Sequence, residues 1–459
     1  MKLIPNLRLA QKLPLAVVGA ALAASAAIGI GSYMISAATV TALTEDKLRT
    51  VAEQRAGELK DFFASTASDL LVTAASGAAG NALGNLVMGW DQMGETVTAQ
   101  MQEAFIGKVA DPAERANLDT GGLTKGITYD MSHGRIHPGF RAQLRARGYG
   151  DIYLFDTRGN LIYSVNKQAE FATNFNDGPF ARTTLGELYR KAAAMTEPGQ
   201  YLFSDLAPYA ATPDQPASFM ATPVFNGKTP VGVLAFRMPN DSINAMLGNR
   251  LGLGETGETF FVGEDRLFRN DSSFSEADDT ISASYDSPAI ETAFATGEPV
   301  FSRWDGYRDT PMLSTVIPIE FNDTRWALVS TISEAEAMAP VAHMRNMILL
   351  IGGAVLVGAA IIGFFFARSI ARPIGRLTQT MRGLAGGDLS VEVEGDGRTD
   401  ELGEMARAVG VFRANGLRMR EMTEAEEASA ETRRTEHAGM MQALQQAFGA
   451  VVDAAVNGD

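Results

Sequence analysis

LPLAVVGAALAASAAIGIGSYMI at 13–35 and MILLIGGAVLVGAAIIGFFF at 347–366 are the two stretches that decide the architecture. Neither holds a charged residue, and each is at least 20 residues long. A helix rises 1.5 Å per residue, so each would cover about 30 Å, the thickness of a bilayer's hydrocarbon core. Between them lie about 300 residues of more polar sequence. Lys2, Arg8 and Lys12 precede the first stretch, and Arg368, Arg372 and Arg376 follow the second. The positive-inside rule then predicts that both ends are cytoplasmic. The expected layout is a cytoplasmic N-terminus at 1–12, a membrane helix at 13–35 and an outer region at 36–345, followed by a second membrane helix at 346–366 and an inner region. The run ALAASA at 21–26 also fits a cleavable signal peptide. The apolar stretch outruns the usual signal core of about 7–15 residues, so an uncleaved anchor is expected.

Composition narrows the classes. A net charge of −15 argues against nucleic acid as a partner, because that contact needs a basic surface. The chain has no cysteine, so the outer region must be held by its core rather than by disulfides. Of four histidines only His133 and His137 are close, and Gly134 and Pro138 argue against a helix that would align them. Neither a metal site nor any other cofactor is expected.

From Thr44 to about Leu71 the pattern is helical, with Leu48, Val51, Leu59, Phe62, Phe63 and Leu70 on one stripe. No Pro or Gly interrupts it before Gly57, which predicts one rod continuous with the first span. A second helical stretch is expected through Thr98–Val109. YGDIYLFDTRGNLIYSV at 149–165 alternates apolar and polar residues around Asp156-Thr157-Arg158-Gly159-Asn160, a strand–turn–strand signature. Strands at Gly199–Phe203, Ser218–Val224 and Pro230–Arg237 and a helix at Thr184–Met195 complete a five-stranded α+β module. ETFFVGEDRLFRND at 258–271 opens a second such hairpin. A helix at Ser287–Thr296 and strands at Glu298–Trp304, Met312–Glu320 and Arg325–Ile332 follow it. The outer region thus reads as two antiparallel modules in series, a distal one at about 145–245 and a smaller proximal one at about 255–333. Gly252-x-Gly254-x-x-Gly257 fits a dinucleotide fingerprint, but a helix precedes it and a strand follows, the reverse of what phosphate binding needs.

GYGDIYLFDTRGNLIYSVNKQAEFATNF at 148–175, PASFMATPVFNGKTPVGVLAFRMPNDSIN at 216–244, GLGETGETFFVGEDRLFRNDSSF at 252–274 and WALVSTISEAEAMAPV at 326–341 carry a family likeness. In this order they resemble the double Cache sensor of bacterial chemoreceptors, a long helix plus two PAS-like sheets. The resemblance implies an α+β sensor between two transmembrane helices, with a small-solute pocket between the distal sheet and the loops crossing it. Polar residues amid apolar strands are the candidates: Tyr163, Lys167, Asp205 and Tyr209, with Tyr153 and Arg182 behind them. The Arg-Trp-Tyr pattern of the family's amino-acid-binding members is not visible. Ligand identity therefore stays open, as does sensing through a ligand-loaded binding protein.

Beyond the second span, Ile374, Leu377, Met381 and Leu384 step 3, 4 and 3, as do Leu402, Met405, Val409 and Phe412. Pro373 can start the first helix, Gly386-Gly387 ends it, and Leu389, Val391 and Val393 mark an extended connector. Asp400-Glu401 opens the second helix, where acidic groups favour the positive end. Two short a/d helices cannot bury their stripes alone, but two copies make a parallel four-helix bundle. Pro373, Gly387-Asp388-Leu389 and Asp400-Glu401-x-Gly403 are similar to the HAMP linker, so an all-α HAMP coiled-coil region is expected at 367–420. A charged helical segment follows at 421–459, and AFGAVVDAAVNGD at 447–459 resembles the start of a second such unit. His437 in TEHAGMM lacks the surroundings of a kinase phospho-acceptor, and no enzyme motif replaces it. The whole resembles a methyl-accepting chemotaxis receptor of the bacterial inner membrane, with a periplasmic sensor, a homodimeric state and no enzyme activity. Its kinase and coupling-protein partners would act only through a C-terminal kinase-control domain that this chain is expected to lack. The alternatives are the front end of a histidine kinase or cyclic-dinucleotide enzyme, or a shortened receptor that acts as a dimerisation partner.

Overall fold

The structure, a computed structural model, describes residues 9–456, with positions 9, 10, 13, 448 and 450–456 described by backbone alone. Lys2 and Arg8, used above for orientation, and the last three residues of the 447–459 segment lie outside the described residues. In chain order the helices are α1 (Leu9–Ala75), α2 (Gly77–Asp91), α3 (Val97–Gln102), α4 (Pro112–Arg115), α5 (Ile127–Arg147), α6 (Thr184–Ala193), α7 (Asn240–Leu247), α8 (Pro288–Thr296), α9 (Glu334–Ala337), α10 (Ala339–Phe366), α11 (Arg372–Ala385) and α12 (Glu401–Val456). The strands are β1 (Asp151–Asp156), β2 (Leu161–Ser164), β3 (Leu202–Ala207), β4 (Ala217–Asn226), β5 (Thr229–Arg237), β6 (Glu258–Gly263), β7 (Val300–Tyr307), β8 (Thr310–Phe321) and β9 (Thr324–Ser333). The chain divides into two compact units, one of residues 36–342 and one that joins 1–35 to 343–459.

In the 36–342 unit, α1 buries Leu48, Ala52, Ala56, Leu59, Phe63, Ala67, Leu70 and Ala74. These repeat every three or four residues, which keeps them on one face of the helix. Half are alanines, so a search for large apolar residues finds only part of the stripe; Val51 and Phe62 lie at its partly buried margin. The distal sheet has the order β2-β1-β5-β4-β3 and the proximal one β6-β9-β8-β7, both antiparallel. Phe63 joins them: its ring lies 5.0 Å from Phe321 and 5.2 Å from Trp326 of the proximal module, and 5.5 Å from Phe203 of the distal one.

Several expectations change, and the strand expected at Gly199–Phe203 runs instead from Leu202 to Ala207. The second half of 258–271 is not a strand; Leu267 and Phe268 make isolated bridges only, so the proximal sheet has four strands. The strand expected at Glu298–Trp304 runs from Val300 to Tyr307. The helix expected at Thr98–Val109 divides into α3 and a π-turn at Glu103–Gly107. And α5 runs unbroken through Gly134 and Pro138. A proline inside a helix costs about 3 kcal/mol. Here the buried stripe Tyr129, His133, His137 and Phe140, at steps of 4, 4 and 3, offsets that cost by packing on the distal module.

In the other unit, Gly29 allows close packing of the two apolar helices: a Cβ there would lie 3.0 Å from Ile348 Cγ2. Small residues at such crossings let membrane helices approach. Further along, Arg398 donates to the Ser369 carbonyl (3.2 Å) and Arg413 to the Leu389 carbonyl (3.0 Å). The starts of α11 and α12 are thus level, and the return segment lies along them, as a parallel pair requires. Asp400 accepts from the Gly403 N–H (3.1 Å) and caps α12. Gly387 has φ +88°, a left-handed turn that ends α11. Leu377 and Leu384 are buried, whereas Met381, Met405 and Phe412 of the expected stripes stay exposed.

Candidate functional site

The six candidate ligand residues separate into four places. Tyr153 and Tyr209 lie on one side of the distal sheet, packed on Phe219 with ring centroids 6.2 and 5.0 Å away. Both hydroxyls are buried without a hydrogen-bond partner among the described residues, and so are both carboxyl oxygens of Glu170, which is fully buried. Burial, and then the charge of Glu170, pushes each tyrosine hydroxyl well above its usual value. Burial, and then the charge of Asp151, raises the Glu170 carboxyl to about 7. Asp151 is itself buried but satisfied: Ser164 Oγ donates at 2.7 Å and the Val165 N–H at 2.9 Å. The Arg237 guanidinium lies 5.8 Å from the Tyr209 ring centre. The two hydroxyls face the Glu170 carboxyl and interact with it, but no well-formed hydrogen bond closes the cluster, so it has capacity for a further donor or acceptor.

Tyr163 and Lys167 occupy the opposite side, against α5. A carbonyl only accepts, so His137 Nε2 donates to the Ala116 carbonyl (2.9 Å) and Nδ1 accepts from the Tyr163 hydroxyl (2.8 Å). His133 Nδ1 donates to the Asp119 carbonyl (2.7 Å), which leaves Nε2 without a donor. Lys167 Nζ donates to the Val165 carbonyl at 3.0 Å and lies 5.4 Å from the Phe105 ring centre. Burial lowers the Lys167 amine to about 7, and burial followed by the Lys167 charge lowers His137 to about 3. His133 is held well below its usual value for the same reasons. Its histidines are neutral and aromatic rings pack around it, which suits the cluster to holding α5 on the sheet rather than to receiving a solute.

Asp205 is committed elsewhere. It accepts from Arg269 at 2.8 and 3.0 Å and from Trp326 Nε1 at 2.9 Å, joining the two modules instead of facing a ligand. Arg182 is exposed. Sequence reasoning missed Glu170 and Arg237. The one local signal for Glu170 was a lone acid between the apolar residues Ala169 and Phe171; for Arg237 it was a charge closing an otherwise apolar strand.

Residues 365–416 match the model of the HAMP domain, and that range includes Pro373, Gly387, Asp388, Leu389, Asp400, Glu401 and Gly403. Over 279 residues the chain is 26% identical to the probable chemoreceptor y4sI of Sinorhizobium fredii (strain NBRC 101917 / NGR234), covering 59% of this chain and 34% of that one. Over 62 residues it is 44% identical to the sensor protein CutS of Streptomyces coelicolor, 14% of each chain. The chain therefore spans about a third or less of the curated relatives it matches. Among solved structures, the periplasmic sensory domain of the Campylobacter jejuni chemoreceptor Tlp1 aligns with a TM-score of 0.41 at 12% identity, over 66% of this chain and 99% of that one. The ligand-binding domain of the Pseudomonas fluorescens chemoreceptor CtaA, in complex with L-alanine, aligns with a TM-score of 0.37 at 15% identity, over 64% and 99%. Among the described residues two helices are long and apolar enough to cross a membrane, residues 365–416 match the HAMP domain, and the chain is similar to a probable chemoreceptor over 59% of its length.

Proposed function

We propose that the protein is a transmembrane chemoreceptor: its outer unit, at about 36–345, binds a small solute, and a HAMP segment at about 367–420 relays the event inward. The outer unit lies in the periplasm and both termini in the cytoplasm, as the arginines after the second span favour. The observation that carries the reading is the Glu170 carboxyl, fully buried in one cluster with the hydroxyls of Tyr153 and Tyr209, in which no well-formed hydrogen bond is made. A solute bringing N–H donors, such as a small amine, would satisfy all three groups at once. Two copies form the working unit. Met405 and Phe412 are exposed on the single chain, 52% and 56%, and a second HAMP pair would cover them. Ligand affinity that differs between two arrangements of the second span is enough to pass the signal; about 1–3 kcal/mol is typical. The output then passes to a cytoplasmic kinase-control module with its kinase and coupling protein.

A thermal-shift screen of the full chain in detergent, against small amines, amino acids and organic acids, tests the site. An N–H-donating solute should raise the melting point by mass action, and Glu170→Gln should abolish the rise. A screen without any shift, or a shift unchanged in Glu170→Gln, overturns the assignment.

A further inference from the structure

A second feature of the outer unit is a cavity of about 350 Å³ at the junction of the two sheet modules. The distal module supplies Arg237, Gln168, Gln215 and Asp241, and the 278–280 loop of the proximal module supplies Asp278 from across the gap. Arg237 ends β5 and is only 8% exposed. A guanidinium carries five donors, yet among the described residues its hydrogen bonding is a single contact to the Gln215 carbonyl at 3.4 Å, long for such a bond. The Glu170 charge acts on it, but no carboxylate hydrogen-bonds to it among the described residues. A buried cation so poorly hydrogen-bonded is costly unless a closer anion meets it. Gly150, just before β1, makes room for it: a Cβ there would lie 2.9 Å from Arg237 Cδ.

The other walls specify more than an anion. The Gln168 and Gln215 side-chain amides have no protein partner among the described residues, so each offers a donor and an acceptor to the cavity. Asp241 is exposed towards it, and Asp278 uses one carboxylate oxygen to accept from the Thr280 N–H (2.9 Å), leaving the other for a donor. One buried arginine, two free amides and two carboxylates suit a solute with a single carboxylate and several hydroxyls. A simple fatty acid would leave the amides unmet, and a neutral sugar would leave the arginine unmet. The volume is at the lower end of small-molecule sites, room for one such molecule.

We propose that this junction, which borders the Glu170 cluster through Arg237, is a binding site for a small polyhydroxylated carboxylate of the sugar-acid class. Arg237 holds the carboxylate in a two-pronged contact, and the amides and aspartates read the hydroxyls. Because its walls come from both modules, an occupant ties the 278–280 loop to the end of the distal sheet.

Calorimetric titration of the full chain in nanodiscs tests the assignment, with D-glucuronate and D-gluconate as probes and D-glucose and acetate as comparators. At least one sugar acid should bind about tenfold or more tighter than both comparators, a gap of about 1.4 kcal/mol. Gln168→Leu and Arg237→Met should each weaken it by about tenfold or more. Gln168→Leu removes no side-chain hydrogen bond or ion pair among the described residues, so it keeps the test valid if the arginine variant folds poorly. The proposal is overturned if neither sugar acid binds, if glucose or acetate binds equally well, or if Gln168→Leu binds like the parent.

Discussion

Arg269 and Asp205 lie 2.8 Å apart, the guanidinium on the proximal module and the carboxylate on the distal one. Arg269 is almost wholly buried, Trp326 donates to the same carboxylate, and Asp265 is the arginine's second acidic partner. The modules are therefore joined by a charge-assisted contact with little water around the cation. Asp205→Ala leaves that cation half-paired and the indole N–H unmet, and should cost about 2 kcal/mol in denaturant unfolding of the full chain. Adding Arg269→Met should restore part of the loss, because the bare charge goes with it. If the double variant is no better than Asp205→Ala, the contact is not an ion-pair latch.

Phe63 ties α1 to both modules through three aromatic contacts. Phe63→Ala opens a cavity where these elements meet and should cost about 3–5 kcal/mol, read as a fall in the denaturation midpoint. Phe62 is only partly buried one position away, and Phe62→Ala should cost clearly less. Equal losses would mean that the packed face of α1 has been assigned wrongly.

Glu170 makes stability depend on pH. Its carboxyl stands at about 7 in the fold against 4.5 in the unfolded chain. Its contribution is complete below pH 4.5 and is lost as pH rises through about 7, because the unfolded chain gives up the proton first. Glu170→Gln removes this dependence, so its advantage over the parent should grow by roughly 3 kcal/mol between those values. His137 has the opposite sign: at about 3 in the fold against 6.5 unfolded, its contribution is complete above pH 6.5 and is lost as pH falls towards 3. Urea midpoints measured across this range, for the parent and for Glu170→Gln and His137→Phe, would separate the two. Parallel curves would show that neither group is held as described.

Pro373 starts α11 directly after a π-turn at Ala367–Ala371 that follows the second apolar helix. With a reporter kinase joined after the HAMP segment, Pro373→Ala should change the response while leaving solute affinity nearly intact. An unchanged response would remove the relay.

Gly387→Ala places a Cβ on a residue with φ +88° and should destabilise the turn by about 1–2 kcal/mol. Limited proteolysis would detect this as earlier cleavage within 386–400; an unaltered pattern would mean the turn accommodates the side chain.

The candidate residues show where reading along a chain stops. Tyr153 and Tyr163 belong to paired strands, yet they face opposite sides of the sheet. The register sets Tyr163 against Leu154 and Tyr153 against Ser164, so the two tyrosines differ by one residue and take opposite faces. A bulge beside Leu154 then shifts the remainder of the pair. Neither the register nor the bulge is written in the residues themselves. The continuation of α5 through Pro138 has the same origin, since burial against a distant sheet outweighed a local penalty.

What the sequence determined by itself was everything that depends on neighbours along the chain: two uncharged apolar helices, the periodic face of α1, the Asp156–Asn160 turn and the Asp400 cap. Helical period, span length and turn chemistry act over a few residues, so composition and spacing suffice to specify them. The tertiary structure alone decided which polar groups meet. Asp205 and Arg269 are 64 residues apart, and His137 and Tyr163 are 26 apart. Strand register and burial bring such pairs together, and those follow from the packing of the whole unit rather than from any one segment of it.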